Sequence, residues 1–225
     1  MKSIRTAVFA MGLAISGVLN ADASLSWSAN PNTDIPDGQP DSGLLSAISI
    51  DSGDLQLSGI VDPWVSSVVS ISFEITGGWN GDYIIQLKHV LPDLTTDTLT
   101  ILNRVGMTGG QPLGYMNAGY DVTIETGGSG DIADQGSYSS SSQITGTYGG
   151  VDFSSLAGYT KSPVGTWALY ITDNSSGDVG TLVGWSLTLD VVPEPTTWAA
   201  IIFGTLFAGV QGVRLLRKKK LMVES

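Results

Sequence analysis

The chain reads as an all-β protein: a jelly-roll-like β-sandwich of about eight to nine strands, flanked by an N-terminal signal peptide and a C-terminal transmembrane helix. Three observations predict it. Short runs rich in Val, Ile and Leu recur between turns of Gly, Ser, Thr, Asp and Asn. Apolar side chains alternate with polar ones inside those runs, the period of a strand with one face in a core. No long apolar pattern of helical period occurs before residue 196.

From the N-terminus, Lys2 and Arg5 precede an apolar stretch over 7–19 and then Ala21-Asp22-Ala23, a small-x-small cleavage pattern. Residues 1–23 are therefore expected to be a removed signal peptide, which exports the body. The body, 24–190, has the length of one domain with a sizeable core. Its expected strands are 44–50, 55–60, 65–75, 83–89, 98–103, 120–126, 143–148, 166–172 and 182–190. In the last two, Trp167, Leu169 and Ile171 share one face and Trp185, Leu187 and Leu189 another, so both faces should point inward. Residues 79–82 (Trp-Asn-Gly-Asp) and 173–180 carry turn chemistry throughout. The stretch 127–142 has almost no apolar residue and is expected to be a long, mobile surface loop.

Charge excludes several functions. The whole chain is −11, and between residues 24 and 192 only Lys88, Arg104 and Lys161 oppose 18 acidic residues, a net of −15. Such a surface repels phosphate backbones, so no nucleic-acid partner is expected. With no cysteine, neither a disulfide nor a thiol nucleophile is available. The single histidine, His89, is expected at a strand end or on the surface, and nothing marks a nucleophile and acid that would converge on it. Zinc chemistry lacks ligands of the usual kind. Carboxylate pairs, as in glycoside hydrolysis, arise by chance among so many acids, so the chain is not expected to be an enzyme.

Calcium is the one cofactor the body suggests. Asp37, Asp82, Asp173 and Asp178 all sit in turns beside Gly, Pro or Asn, where hard-ion ligands gather; converging carboxylates would need a cation to relieve their repulsion. The alternative is that each caps its own turn through the backbone.

At the C-terminus, Val192-Pro193-Glu194-Pro195 leads into an apolar run over 196–213 in which Gln211 is the only strongly polar member. Eighteen such residues just span a bilayer's hydrocarbon core. Arg214, Arg217, Lys218, Lys219 and Lys220 follow and should hold that end in the cytoplasm. Tripeptide, helix and basic cluster, consecutive over 191–225 and paired with a signal peptide, resemble the PEP-CTERM sorting signal. The resemblance implies a partner, exosortase, which would recognise Pro193, Glu194 and Pro195 and cut there. It implies a body first tethered to the inner membrane of a Gram-negative bacterium, then placed on the cell surface or in the extracellular matrix, in association with extracellular polysaccharide.

The body carries a second resemblance. Ile35-Pro36-Asp37, the run 81–87 (GDYIIQL), the run 119–124 (GYDVTI) and above all the closing succession 165–169 (GTWAL), Asp173, 177–182 (GDVGTL) and 185–189 (WSLTL) are similar to the P domain (P/Homo B) that follows the catalytic domain of proprotein convertases. The likeness covers about residues 30–190 and implies a jelly roll. Glu125-Thr126 departs from the family, many of whose members carry an acidic pair there, and Lys88-His89 replaces a small turn pair. The resemblance implies a stand-alone module without peptidase activity. An alternative function is a lectin-like, carbohydrate-binding module in which loop tyrosines Tyr115, Tyr120, Tyr138, Tyr148 and Tyr159 stack on sugars.

Overall fold

The computed structural model describes residues 23–57, 63–139, 141–158, 161–193 and 202–211. Ten strands among them build two stacked sheets. They are β1 (Ala23–Ala29), β2 (Thr33–Asp34), β3 (Leu44–Ile50), β4 (Pro63–Gly77), β5 (Tyr83–Val90), β6 (Thr96–Asn103), β7 (Gly119–Glu125), β8 (Ile144–Tyr148), β9 (Gly165–Asp173) and β10 (Gly180–Pro193). One sheet runs β1-β10-β4-β7-β8 with β2 also on β10; the other runs β3-β9-β5-β6. All pairings are antiparallel except β7 with β8.

The core lies between the sheets and follows the alternation read from the sequence. Trp167, Leu169 and Ile171 of β9 face Trp185, Leu187 and Leu189 of β10, and all six are buried. Each such side chain contributes about 1.5–3 kcal/mol by leaving water. Both indole N–H groups are satisfied: Trp167 donates to the Pro163 carbonyl at 3.0 Å, and Trp185 donates across the core to Ser46 Oγ at 2.9 Å.

Four expectations need correction. The strand expected at 55–60 is instead a short helix, α1 (Ser52–Leu57), with 58–60 outside the described residues. Its start is fixed reciprocally: Asp51 Oδ1 accepts from the amides of Gly53 and Asp54 at 2.7 and 3.0 Å, and Asp54 Oδ2 accepts from the Asp51 amide at 3.0 Å. Strand β1 was not expected at all; Leu25 and Trp27 alternate inward there beside β10. The stretch 127–142 is pinned rather than loose, because Ile132 is buried in the core and Asn117 bonds both the Ser137 amide (2.6 Å) and the Ser142 carbonyl (2.7 Å). His89 is neither a strand end nor a surface residue. It shares the inward face of β5 with Tyr83, Ile85 and Leu87, is fully buried, and stacks on Trp167 with ring centroids 3.9 Å apart.

Strand β10 extends to Pro193, which pairs with Pro63, so the sandwich reaches the first residue of the expected sorting tripeptide. Glu194, Pro195, Arg214, Arg217, Lys218, Lys219 and Lys220 lie outside the described residues. Within the expected membrane segment, 202–211 is helical (α2), and Phe203, Leu206, Phe207 and Val210 are exposed. Among the described residues, no helix is long and apolar enough to cross a membrane.

Candidate functional site

One end of the sandwich gathers the loop before β5, the loop between β9 and β10, and the loop after β2. The first is a 3-10 turn, Asn80–Asp82, whose Asn80 side chain grips Gly119 through both its amide (2.9 Å, donating to Asn80 Oδ1) and its carbonyl (3.0 Å, accepting from Asn80 Nδ2). The Asp82 carbonyl then accepts from both the amide and the side chain of Asn174, at 3.0 and 3.1 Å. This ties the first loop to the second. The third joins through the Ile35 amide, which donates to the Gly180 carbonyl at 2.8 Å.

These ties bring together the four aspartates singled out in the sequence. Asp82 is buried, with its carboxylate 3.5 Å from the Arg104 guanidinium. Asp37 accepts the Gly177 amide on both oxygens, at 3.1 and 3.2 Å. Asp173 ends β9 opposite Tyr83, is fully buried, and accepts the Ser175 amide on Oδ1 at 3.0 Å, while its Oδ2 has no hydrogen-bond partner. Asp178 Oδ2 is likewise buried and unpartnered.

The electrostatics agree with this convergence. Burial pushes the Asp173 carboxyl up to about 6; the Ser175 amide opposes that rise, and the charges of Asp82, Asp178 and Asp37 add to it. Burial also raises Asp178, with Asp82 and Asp37 adding to it and the Trp79 backbone opposing. The Tyr83 hydroxyl, raised first by burial and then by all four carboxylates, donates to the Gly77 carbonyl at 3.2 Å.

The result is a partly desolvated acidic cluster, with one guanidinium touching one of its members. Asp173 caps its own turn and Asp37 caps a neighbouring one, while Asp173 Oδ2 and Asp178 Oδ2 are left without hydrogen-bond donors. Among the described residues, no three acidic or imidazole side chains stand in an arrangement that could already hold a metal ion.

Arg104 and Tyr83 belong to the cluster and were not anticipated. Arg104 could have been found, since it is one of only three basic residues in an acidic body. It reaches the tip because its amide donates to the Tyr83 carbonyl at 2.9 Å in a backbone turn of φ +46°.

Of the five tyrosines offered for sugar stacking, the described ones are dispersed in environment. Tyr120 is buried; Tyr115 and Tyr138 pack on each other at 4.9 Å; Tyr148 donates to the Thr145 carbonyl at 2.7 Å; and Tyr159 lies outside the described residues.

Fold and tip together define a two-sheet β-sandwich with an acidic loop end. Comparison adds a family likeness: residues 134–189, which contain β8, β9, most of β10, Asp173 and Asp178, match the proprotein convertase P-domain model. Among solved structures, a serine protease of Aeromonas sobria is similar at 18% identity, with a TM-score of 0.40, over 79% of this chain and 29% of that one. The chain thus spans less than a third of that protease's length. No curated protein matches it.

Proposed function

We propose that this chain is a non-catalytic, exported P-domain-like sandwich, sorted by exosortase. Segment 196–213 holds it at the inner membrane until cleavage near Pro193–Pro195, after which it is displayed on the surface or joins the extracellular matrix and its polysaccharide. The observation that carries the reading is α2. Its Phe203 and Phe207 are 71% and 67% exposed, which water disfavours and lipid accommodates, and the segment sits between Pro-Glu-Pro and five basic residues. The described pairing of β10 runs to Pro193, so cleavage beyond that residue would leave those hydrogen-bonded strands whole.

In this reading the acidic tip takes calcium. Asp173 Oδ2 and Asp178 Oδ2 are its free donors, joined by Asp37 and Asp82, and the ion would close a cluster whose carboxylates now repel one another. Intact-mass spectrometry of the exported protein tests the sorting. A C-terminus near Pro193 is expected, and an intact chain ending at Ser225 in cells with active exosortase would overturn it.

A further inference from the structure

The outer face of the six-stranded sheet carries a row of hydroxyls that no function so far uses. Reading across strands by register, Ser28 of β1 lies opposite Ser186 of β10, Ser186 opposite Ser72 of β4, Ser72 opposite Thr123 of β7, and Thr123 opposite Thr147 of β8. Five adjacent strands therefore present one short hydroxyl side chain each at the same level. With strands about 4.8 Å apart, the row is about 19 Å long. It lines a groove of about 450 Å³.

An outward sheet face is normally polar, but this one differs from its counterpart across the molecule. On the other sheet's outer face the long Lys88 side chain lies over the Tyr170 ring, its ammonium 3.7 Å from the ring centroid. Here the short side chains leave a trough. Glu74, Asp121 and Asn30 also line it, as does Val183, the extra residue of a β-bulge between Leu182 and Gly184. Bulges of this kind sharpen the local twist and bend a sheet.

We infer that this groove binds a neutral glycan chain. Each hydroxyl both donates and accepts, the two carboxylates accept, and the Asn30 amide does both, a mixture matched to the alternating donors and acceptors of sugar hydroxyls. Only the Ser72–Thr123 pair is tied internally, at 2.8 Å. Charge selects among glycans. Lys88, Arg104 and Lys161 are engaged by Tyr170, Asp82 and Asp97, and among the described residues no basic side chain lines the trough, whose two carboxylates would repel uronate or sulfate chains. The loop tyrosines play no part.

The inference rests on the exported location proposed above and is tested apart from it. The exported protein recovered from cells is run by affinity electrophoresis through gels containing dextran, galactomannan or alginate. Retardation by a neutral glycan and not by alginate is expected. Ser28→Arg and Thr147→Arg change exposed side chains at the two ends of the row without touching the core, and each should weaken binding about tenfold or more at an unchanged melting temperature. Failure of both neutral glycans to retard the protein, retardation by alginate as strong as theirs, or arginine variants that bind like the parent would each overturn the inference. So would size-exclusion data in which the arginines only dissociate a dimer, since the groove would then belong to a second copy. A protein cut near Pro193 that binds neither neutral glycan sinks this inference alone; one that binds but retains its C-terminal helix sinks the sorting reading alone.

Discussion

Ala23 lies directly opposite Val191 in the antiparallel pairing of β1 with β10. Paired residues in such a ladder are about 5 Å apart. The expected signal-peptide cut and the sorting tripeptide therefore leave the sandwich side by side, at one end of adjacent strands. The acidic tip is at the other end, where Gly180 begins β10. A body tethered through its C-terminus would hold that tip away from the bilayer.

Placement of the cut matters for stability. Cleavage after Ala23 leaves Ser24–Ala29 in register with β10, with Leu25 and Trp27 packed on the core. N-terminal sequencing of the exported protein is expected to begin at Ser24. A body starting at Asn30 would lose the edge strand and two half-buried apolar side chains, about 2–4 kcal/mol, seen as a lower urea midpoint. Equal midpoints for the two forms would show that β1 contributes nothing.

Calcium should act on the tip in a way one substitution can isolate. Asp173→Asn keeps the shape of a fully buried side chain and removes a charge that is both desolvated and repelled. Without calcium the variant is expected to melt no lower than the parent. With millimolar calcium the parent should gain several degrees and the variant almost none, because a ligand that binds only the folded state raises its stability. A parent whose melting temperature is the same in calcium and in EDTA would leave Asp173 and Asp37 as turn caps, Asp82 as the partner of Arg104, and the cluster without a metal.

Much of this was legible beforehand, for a physical reason. Period-two alternation in 166–172 and 182–190 is forced by burial of one strand face, and turn-borne aspartates mark the loops that meet at the tip. His89 was legible too: Tyr83, Ile85, Leu87 and His89 have the same parity, and three of the four are apolar. What the sequence hid depends on one local capping pair and on partners distant in the chain. The helix at Ser52–Leu57 arises from two aspartates capping each other where apolar residues alone suggest a strand. Arg104 reaches Asp82 only because β5 and β6 pair. The hydroxyl row emerges only once five separate strands are in register.

Gly78 and Tyr83 make a second structural test of the tip. Gly78 sits at φ +65°, and a Cβ there would lie 1.6 Å from the Tyr83 hydroxyl oxygen. Gly78→Ala should cost about 2–4 kcal/mol from left-handed strain and overlap together. Adding Tyr83→Phe removes the atom that is struck and should return part of the loss, a coupling read from a double-mutant cycle. Strictly additive losses would mean that the overlap is relieved elsewhere.

His89 should make the fold acid-sensitive. Its ring is buried against Trp167, and neither nitrogen makes a hydrogen bond of ordinary geometry with the described residues. Burial lowers its pKa below 6.5; the Val164 backbone and Asp97 oppose the shift, and Lys161 adds to it. Because the unfolded chain then binds the proton more readily than the folded one, His89 leaves stability intact above about pH 6.5 and removes it progressively as pH falls below that value. Phenylalanine at this position keeps the stack on Trp167 and cannot titrate. His89→Phe should therefore flatten the decline in denaturation free energy between pH 6.5 and 5, while the carboxylates titrate as before. Parallel pH profiles for parent and variant would show that the buried imidazole takes no part in acid unfolding.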